Sequence, residues 1–179
     1  SRVKKRFINK GFSVTVVEGY YLPEHPEIKK TQLVYRNVLD KVIPKAKKYL
    51  KTNNGAKGFF IAEDDAWLKD FVDSEYLEKK EKILKKKYIT RVGFQKILKE
   101  PNLPKGYFCV GAQLTWIPAN QLKKFEDSMK SSIPQHFNGF LSKTKMSVEI
   151  LHKNTKKKLV DELEHMSFTM GKVRKGLKL

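Results

Sequence analysis

The sequence predicts a single α/β domain with a mostly parallel sheet flanked by helices. Short β-branched and aromatic runs alternate with stretches in which apolar residues recur every three or four positions, which is typical of strands alternating with helices. The 179 residues are 40% apolar, enough for a buried core, and show no repeat, Gly/Ser-rich linker or break in composition. We therefore expect one domain over residues 1–179, with a basic C-terminal tail from about residue 152.

The first third of the chain predicts a strand, a long helix and a second strand. Residues 12–17 (Phe-Ser-Val-Thr-Val-Val) have the β-branched composition of a strand. Between residues 28 and 50, apolar side chains recur every four positions, which predicts a helix that Pro44 kinks or splits. Residues 58–62 (Gly-Phe-Phe-Ile-Ala) predict a short buried strand.

The rest of the chain predicts further alternation of helices and strands. We expect a lysine-rich helix over residues 74–87, strands over 88–92 and 147–151, one or two strands over 107–117, an amphipathic helix after Pro118 and helical turns over 134–141. This order completes the alternation on which the α/β prediction depends.

The composition argues against several classes of protein. No apolar run approaches the roughly 20 residues needed to cross a bilayer, so we expect no transmembrane segment. No signal peptide is evident from Ser1 onward. The single cysteine, Cys109, excludes an internal disulfide and a cysteine-based zinc cage. These features predict a reducing intracellular compartment, either the cytoplasm or the nucleus.

The net charge of +19 is concentrated in three segments. Residues 1–10, 79–99 and 152–179 together carry +18, so the remaining chain is nearly neutral. Basic patches on a neutral body indicate an anionic partner, which would be nucleic acid, an acidic lipid surface or a phosphorylated substrate. The alternative interpretation is that the lysines serve solubility or follow from a lysine-rich genome.

Three consecutive acids, Glu63, Asp64 and Asp65, directly follow the predicted strand 58–62. Ligands of open α/β sheets bind at the carboxyl ends of the strands, which is where these acids would lie. Because neighbouring carboxylates repel each other, a hard cation such as Mg²⁺ or Mn²⁺, with phosphate oxygens completing its shell, would stabilise the cluster. The alternative is a solvated turn in which an Asp caps the next helix.

Several segments resemble the family 25 glycosyltransferases, which include bacterial lipooligosaccharide galactosyltransferases and collagen galactosyltransferases. The most specific is residues 58–68, which looks like the family's apolar strand and Glu-Asp-Asp motif. The similarity continues in the family's order over roughly residues 2–142, in segments 11–19, 89–93, 106–119 and 134–141. The chain departs from the family in three places: the family's opening strand is absent, Tyr35-Arg36 replaces a Ser-His pair, and Asn138 replaces an Asp.

The resemblance implies a glycosyltransferase A-type fold, here without its first strand, that binds a UDP-sugar donor through Mn²⁺ or Mg²⁺. Glu63 and Asp65 would contact the metal and the ribose, with Asp64 as a supporting ligand. The remaining implied roles are nucleotide contacts from Arg2 and Arg6, catalytic roles for Gln113, His136 and Asn138, and an acceptor contact from Trp116. Three of these residues also have a simpler interpretation. Trp116 would suit the core, His136 would suit a cap or the surface, and Gln113 would suit an ordinary strand position.

The sequence thus predicts a metal-dependent glycosyltransferase that moves a sugar from a nucleotide sugar to a hydroxyl acceptor. The basic segments favour a polyanionic acceptor, either a hydroxylated base in DNA or a phosphorylated glycan, and peripheral contact with an anionic membrane. The alternative function is a non-catalytic nucleic-acid-binding protein on the same fold. Polyanion contacts are expected from Lys85, Lys86, Lys87, Lys156, Lys157 and Lys158.

Overall fold

The structure, a computed structural model, describes residues 2–79, 87–94 and 96–149, with short stretches at 160–162, 165–167 and 172–174. Its helices are α1 (Arg2–Asn9), α2 (Leu33–Asn37), α3 (Ile43–Thr52), α4 (Ser74–Lys79), α5 (Leu122–Ser131) and α6 (Phe137–Lys143). Its strands are β1 (Gly58–Ala62), β2 (Ala66–Leu68), β3 (Ile89–Gly93), β4 (Lys96–Lys99), β5 (Tyr107–Val110), β6 (Leu114–Pro118), β7 (Ser147–Glu149), β8 (Val160–Glu162), β9 (His165–Ser167) and β10 (Lys172–Arg174). The fold is mixed α/β, as predicted. Within the described ranges, no helix combines the length and apolar character needed to span a bilayer.

A four-stranded sheet with the order β1-β6-β3-β7 forms the centre of the fold. Strand β6 pairs antiparallel with both β1 and β3, and β3 pairs parallel with β7. The pairs β2–β8, β4–β5 and β9–β10 form separate antiparallel ladders. The predicted mostly parallel sheet is therefore not confirmed, because most pairings of the described strands are antiparallel.

Strand β6 accounts for this difference. Strands β1 and β3 share one direction, because both are antiparallel to β6, which is inserted between them in the opposite direction. All five residues of β6 are buried. A continuous apolar run of this kind is typical of parallel strands covered on both faces, so the sequence pattern does not reveal the reversed direction.

The long predicted helix runs from Leu33 to Thr52 and changes its hydrogen-bonding pattern before Pro44. Helix α2 continues into a π-helical turn, Val38–Val42, and then into α3, which has Pro44 in its first turn. Proline has no N–H to donate to the carbonyl four residues earlier, and a wider π turn accommodates that loss. The predicted kink is therefore a π turn within a continuous helical segment.

Residues 12–17 form neither a helix nor a strand, so the strand predicted there is not found. Residues 107–117 contain two strands, β5 and β6, separated by a turn in which Gly111 has a φ of +87°. Of the helix predicted over 74–87, the structure describes only α4, since residues 80–86 lie outside the described ranges.

Two apolar cores cover the two faces of the sheet. Ile61 and Ile117 belong to the first core, whereas Phe60 and Leu114 pack in the second, as the alternation of side chains along a strand requires. Helices α2, α3, α5 and α6 contribute to the first core, and α1, α4 and β2 contribute to the second. The edge of the sheet at β1, between these two cores, borders a large groove.

Candidate functional site

A groove of about 2390 Å³ lies along β1. Residues 12–17 line it together with β1, and the start of α6 lines it as well. Small-molecule sites usually enclose roughly 300–1,000 Å³, so this groove has room for a ligand with several rings.

Among the described strands, β1 pairs only with β6, so its other edge gives the groove a polar backbone surface. The N–H of Glu63 donates to the carbonyl of Gln113 at 3.0 Å, and the N–H of Ala119 donates to the carbonyl of Lys57 at 2.9 Å. Along an antiparallel ladder, residues that bond to the partner strand alternate with residues that face the other way. The odd-numbered residues of β1 are therefore the ones that bond to β6. The backbone N–H and C=O groups of the even-numbered residues, such as Phe60, therefore point away from β6.

The three acids lie in a turn between β1 and β2, and all three line the groove. The N–H of Ala66 donates to the carbonyl of Glu63 at 3.1 Å and closes this acid turn (Glu63, Asp64 and Asp65). Asp64 is exposed, Glu63 is half-buried, and Asp65 is only 2% exposed. The acids therefore follow a sheet strand beside a concave cavity, where the sequence predicted them.

The acid turn offers oxygen ligands to a hard cation but does not form a complete cage. Carboxylate oxygens are the donors that Mg²⁺ and Mn²⁺ prefer. Among the residues that the structure describes, no group of three or more His, Cys, Asp or Glu side chains is arranged to hold a metal ion. A cation bound here would thus take part of its ligand shell from a bound molecule or from water.

The start of α6 forms another part of the groove wall. His136 caps α6 and is exposed, and its carbonyl accepts the N–H of Phe140 at 2.9 Å. Asn138 is half-buried in the first turn of the same helix. Both residues line the groove, so the fold brings two of the three predicted catalytic residues to the cavity that contains the acid turn.

Gln113 and Trp116 are both buried. Gln113 is 2% exposed, packs against Gly111 and does not line the groove. Trp116 lines the groove, but it is 7% exposed and packs on Phe60 with the ring centroids 4.9 Å apart. The simpler interpretation of Trp116 as a core residue agrees with its burial, whereas Gln113 lies in the bend before β6 and not at the strand position expected for it.

The two arginines predicted to contact the nucleotide lie outside the groove lining. Arg2 is exposed on α1. Arg6 donates to the carbonyl of Leu68 at 2.8 Å, forms an ion pair with Asp70 and lies over the ring of Trp67. Arg6 therefore joins α1 to β2, and its predicted role as a nucleotide contact has no support from this placement.

Most of the lysines predicted to contact a polyanion cannot be placed. Lys85, Lys86, Lys156, Lys157 and Lys158 lie outside the described residues. Lys87 is described, is exposed and does not line the groove. The polyanion contacts expected of these lysines therefore stay predictions.

The sequence interpretation missed the lysines that line the groove. Five do so: Lys4, Lys30, Lys45, Lys57 and Lys143. The described lining also contains the acid turn and Glu78, so cationic and anionic side chains share the cavity. Because these lysines come from separate parts of the chain, no local pattern in the sequence groups them.

The chain was compared with protein-family models, with curated proteins and with solved structures, and none of the three comparisons finds a match.

Proposed function

We propose that this protein is a metal-dependent glycosyltransferase that uses a nucleotide-sugar donor. The observation that carries the proposal is the acid turn, which follows a sheet strand and lines a large groove. The start of α6, with His136 and Asn138, lines the same groove and would position the acceptor. The resemblance of residues 58–68 to the family 25 glycosyltransferases supports the same function.

Glu63 and Asp65 would hold the cation, with Asp64 as a supporting ligand. The cation would neutralise charge that develops on the departing nucleoside diphosphate. The protein's own part is to supply an incomplete set of carboxylate ligands, which leaves coordination positions for phosphate oxygens. Asn138 has no proton-accepting carboxylate, so this proposal gives it the role of orienting a hydroxyl group rather than deprotonating it.

The groove lysines support an anionic ligand. Lysine binds phosphate as a point charge, and the cations at the groove would attract a diphosphate or a phosphorylated acceptor. This arrangement favours a nucleotide as donor and agrees with a polyanionic acceptor, such as a phosphorylated glycan or a hydroxylated base in DNA.

We also propose a glycosyltransferase A-type fold as the architecture of the chain. The shared direction of β1, β3 and β7 supports this fold.

The experiment is a thermal-unfolding panel of the protein with UDP, UDP-galactose and UDP-glucose, each with and without Mn²⁺. A ligand that binds only the folded state at one hundred times its Kd stabilises it by about 2.7 kcal/mol, so the melting temperature should rise when nucleotide and Mn²⁺ are both present. If the melting temperature rises with none of these nucleotides, with or without Mn²⁺, the proposal is contradicted.

A second candidate function is non-catalytic nucleic-acid binding, which the net charge of +19 favours. In that case duplex DNA should bind with steep salt dependence, and the nucleotide panel should give no response. Replacing Lys85, Lys86 and Lys87 by Gln should then lower the log–log salt slope by up to about three. Equal slopes for the two proteins would contradict these contacts.

A further inference from the structure

Arg91, in β3, is a fully buried arginine whose guanidinium joins two segments of the groove wall. Its Nη1 donates to the carbonyl of Cys109 at 2.8 Å and to that of Gly111 at 3.4 Å. Its Nη2 donates to the carbonyl of Asn138 at 2.8 Å and to Oγ of Ser142 at 3.1 Å. One side chain therefore connects the end of β5 to the first turns of α6.

These two segments carry much of the candidate site. Gly111 and Asn138 line the groove, while Arg91 itself does not. Two residues after Gly111, the carbonyl of Gln113 accepts the N–H of Glu63 at 3.0 Å. A short path of hydrogen bonds thus runs from the start of α6, through Arg91 and the β5–β6 turn, to the acid turn.

A β-bulge lies next to Arg91. The register of β3 against β6 shifts between Arg91 and Gly93. Bulges change the direction of a neighbouring side chain and are common beside functional sites. Burying a guanidinium is costly, and an apolar side chain of similar volume often serves stability equally well. The bulge and the buried charge together indicate that Arg91 fixes the relative position of the two segments and does not serve stability alone.

We infer that Arg91 is the positioning residue of the groove, and this inference rests on the proposed function. It sets the separation between the acid turn and the first turn of α6, and so between a bound donor and the acceptor. Only the planar fork of an arginine reaches both segments at once, since a lysine offers one compact charge. Arg91 acts through the backbone that it holds.

The experiment measures amide hydrogen exchange by NMR in the wild type, Arg91→Met and Arg91→Lys. The matched control is Lys105→Met, because Nζ of Lys105 donates to the carbonyls of Leu141 and Ser147 and so joins α6 to β7. The amide of Met129 in α5, a helix to which neither side chain is bonded in these contacts, reports any general loss of stability.

We expect Arg91→Met to raise the exchange rate of the Glu63 amide by about tenfold or more relative to that of Met129. Lys105→Met should change this ratio by less than about threefold. Arg91→Lys should behave like Arg91→Met, because a lysine cannot bridge the two segments. A purely structural role predicts instead that exchange rises equally at Glu63 and Met129, or that Arg91→Lys restores the wild-type ratio, and either result would overturn the inference.

The same samples are titrated with UDP and Mn²⁺. A wild type that binds no nucleotide would remove the proposed function, while the exchange ratios would still decide whether Arg91 holds the two segments. Unchanged exchange ratios with intact nucleotide binding would leave the proposed function standing and overturn the inference about Arg91.

Discussion

Glu126 illustrates how single residues hold this basic protein together. It lies on α5, is 8% exposed and forms ion pairs with Lys130 at 2.7 Å and with Lys47 of α3. The hydrogen bonds from Lys130 and Lys47 hold the pKa of this carboxyl below its usual value. A lowered pKa in the folded state means that the stabilisation is present at neutral pH and is lost as the pH falls through the folded-state pKa.

We predict that Glu126→Gln lowers the free energy of unfolding by about 1 kcal/mol at pH 7, because the lysines are largely exposed and the ion pairs are screened by water. Below the folded-state pKa the wild-type carboxyl is neutral, so the two proteins should become equally stable. Urea unfolding at pH 7 and in a series of falling pH values measures both differences. If Glu126→Gln lowers the free energy of unfolding equally at neutral and at low pH, the charge of Glu126 is not the cause of the stabilisation.

Gly58 illustrates a second kind of residue effect, close packing of the backbone. A Cβ at this position would lie 2.7 Å from the ring of Trp116 and still closer to the carbonyl oxygen of Ile117, which is backbone and cannot move easily. We predict that Gly58→Ala lowers the free energy of unfolding by about 1–3 kcal/mol. Gly55→Ala, where a Cβ would meet nothing within 4 Å, is the control and should stay within about 0.5 kcal/mol. Equal stability of the two variants would contradict this packing.

At the scale of elements, the sequence pattern predicts where helices and strands lie along the chain better than it predicts which strands pair. The strands at β1, β3 and β7, the two strands at 107–117 and the helices α3, α5 and α6 lie where periodicity and composition placed them, within a few residues. Their pairing depends on contacts between distant parts of the chain, which no local pattern contains. The reversed strand β6 is the clearest case, since burial on both faces hides its direction.

The edge of β1 that faces the groove leads to a prediction about exchange. The amides of Phe59 and Ile61 bond to β6 and that of Glu63 bonds to the carbonyl of Gln113, whereas those of Phe60 and Ala62 face the groove. In two-dimensional NMR spectra recorded after transfer to D₂O, the first set should exchange at least about tenfold more slowly than the second. Equal protection of both sets would show that the edge of β1 is paired.

At the scale of the whole molecule, the sequence identified the acid turn but few of its surroundings. Three adjacent acids after an apolar run form a local signal, and they lie where that signal placed them. Apart from Lys57, the groove lysines and Arg91 are far from the acids in the sequence, so only the fold brings them to the same groove wall. Arg6, assigned from the resemblance, instead joins α1 to β2.

The most direct test of the central claim is isothermal titration of UDP into the protein with and without Mn²⁺, in the wild type and two groups of variants. Glu63→Gln and Asp65→Asn remove the proposed ligands, whereas Glu78→Gln removes a groove acid outside the acid turn and serves as the matched control. We predict Mn²⁺-dependent binding in the wild type and in Glu78→Gln, and a loss of at least about tenfold in affinity, or 1.4 kcal/mol, in each acid-turn variant. Circular dichroism checks that each variant remains folded. Full Mn²⁺-dependent affinity in folded Glu63→Gln and Asp65→Asn would contradict the claim that the acid turn binds the metal.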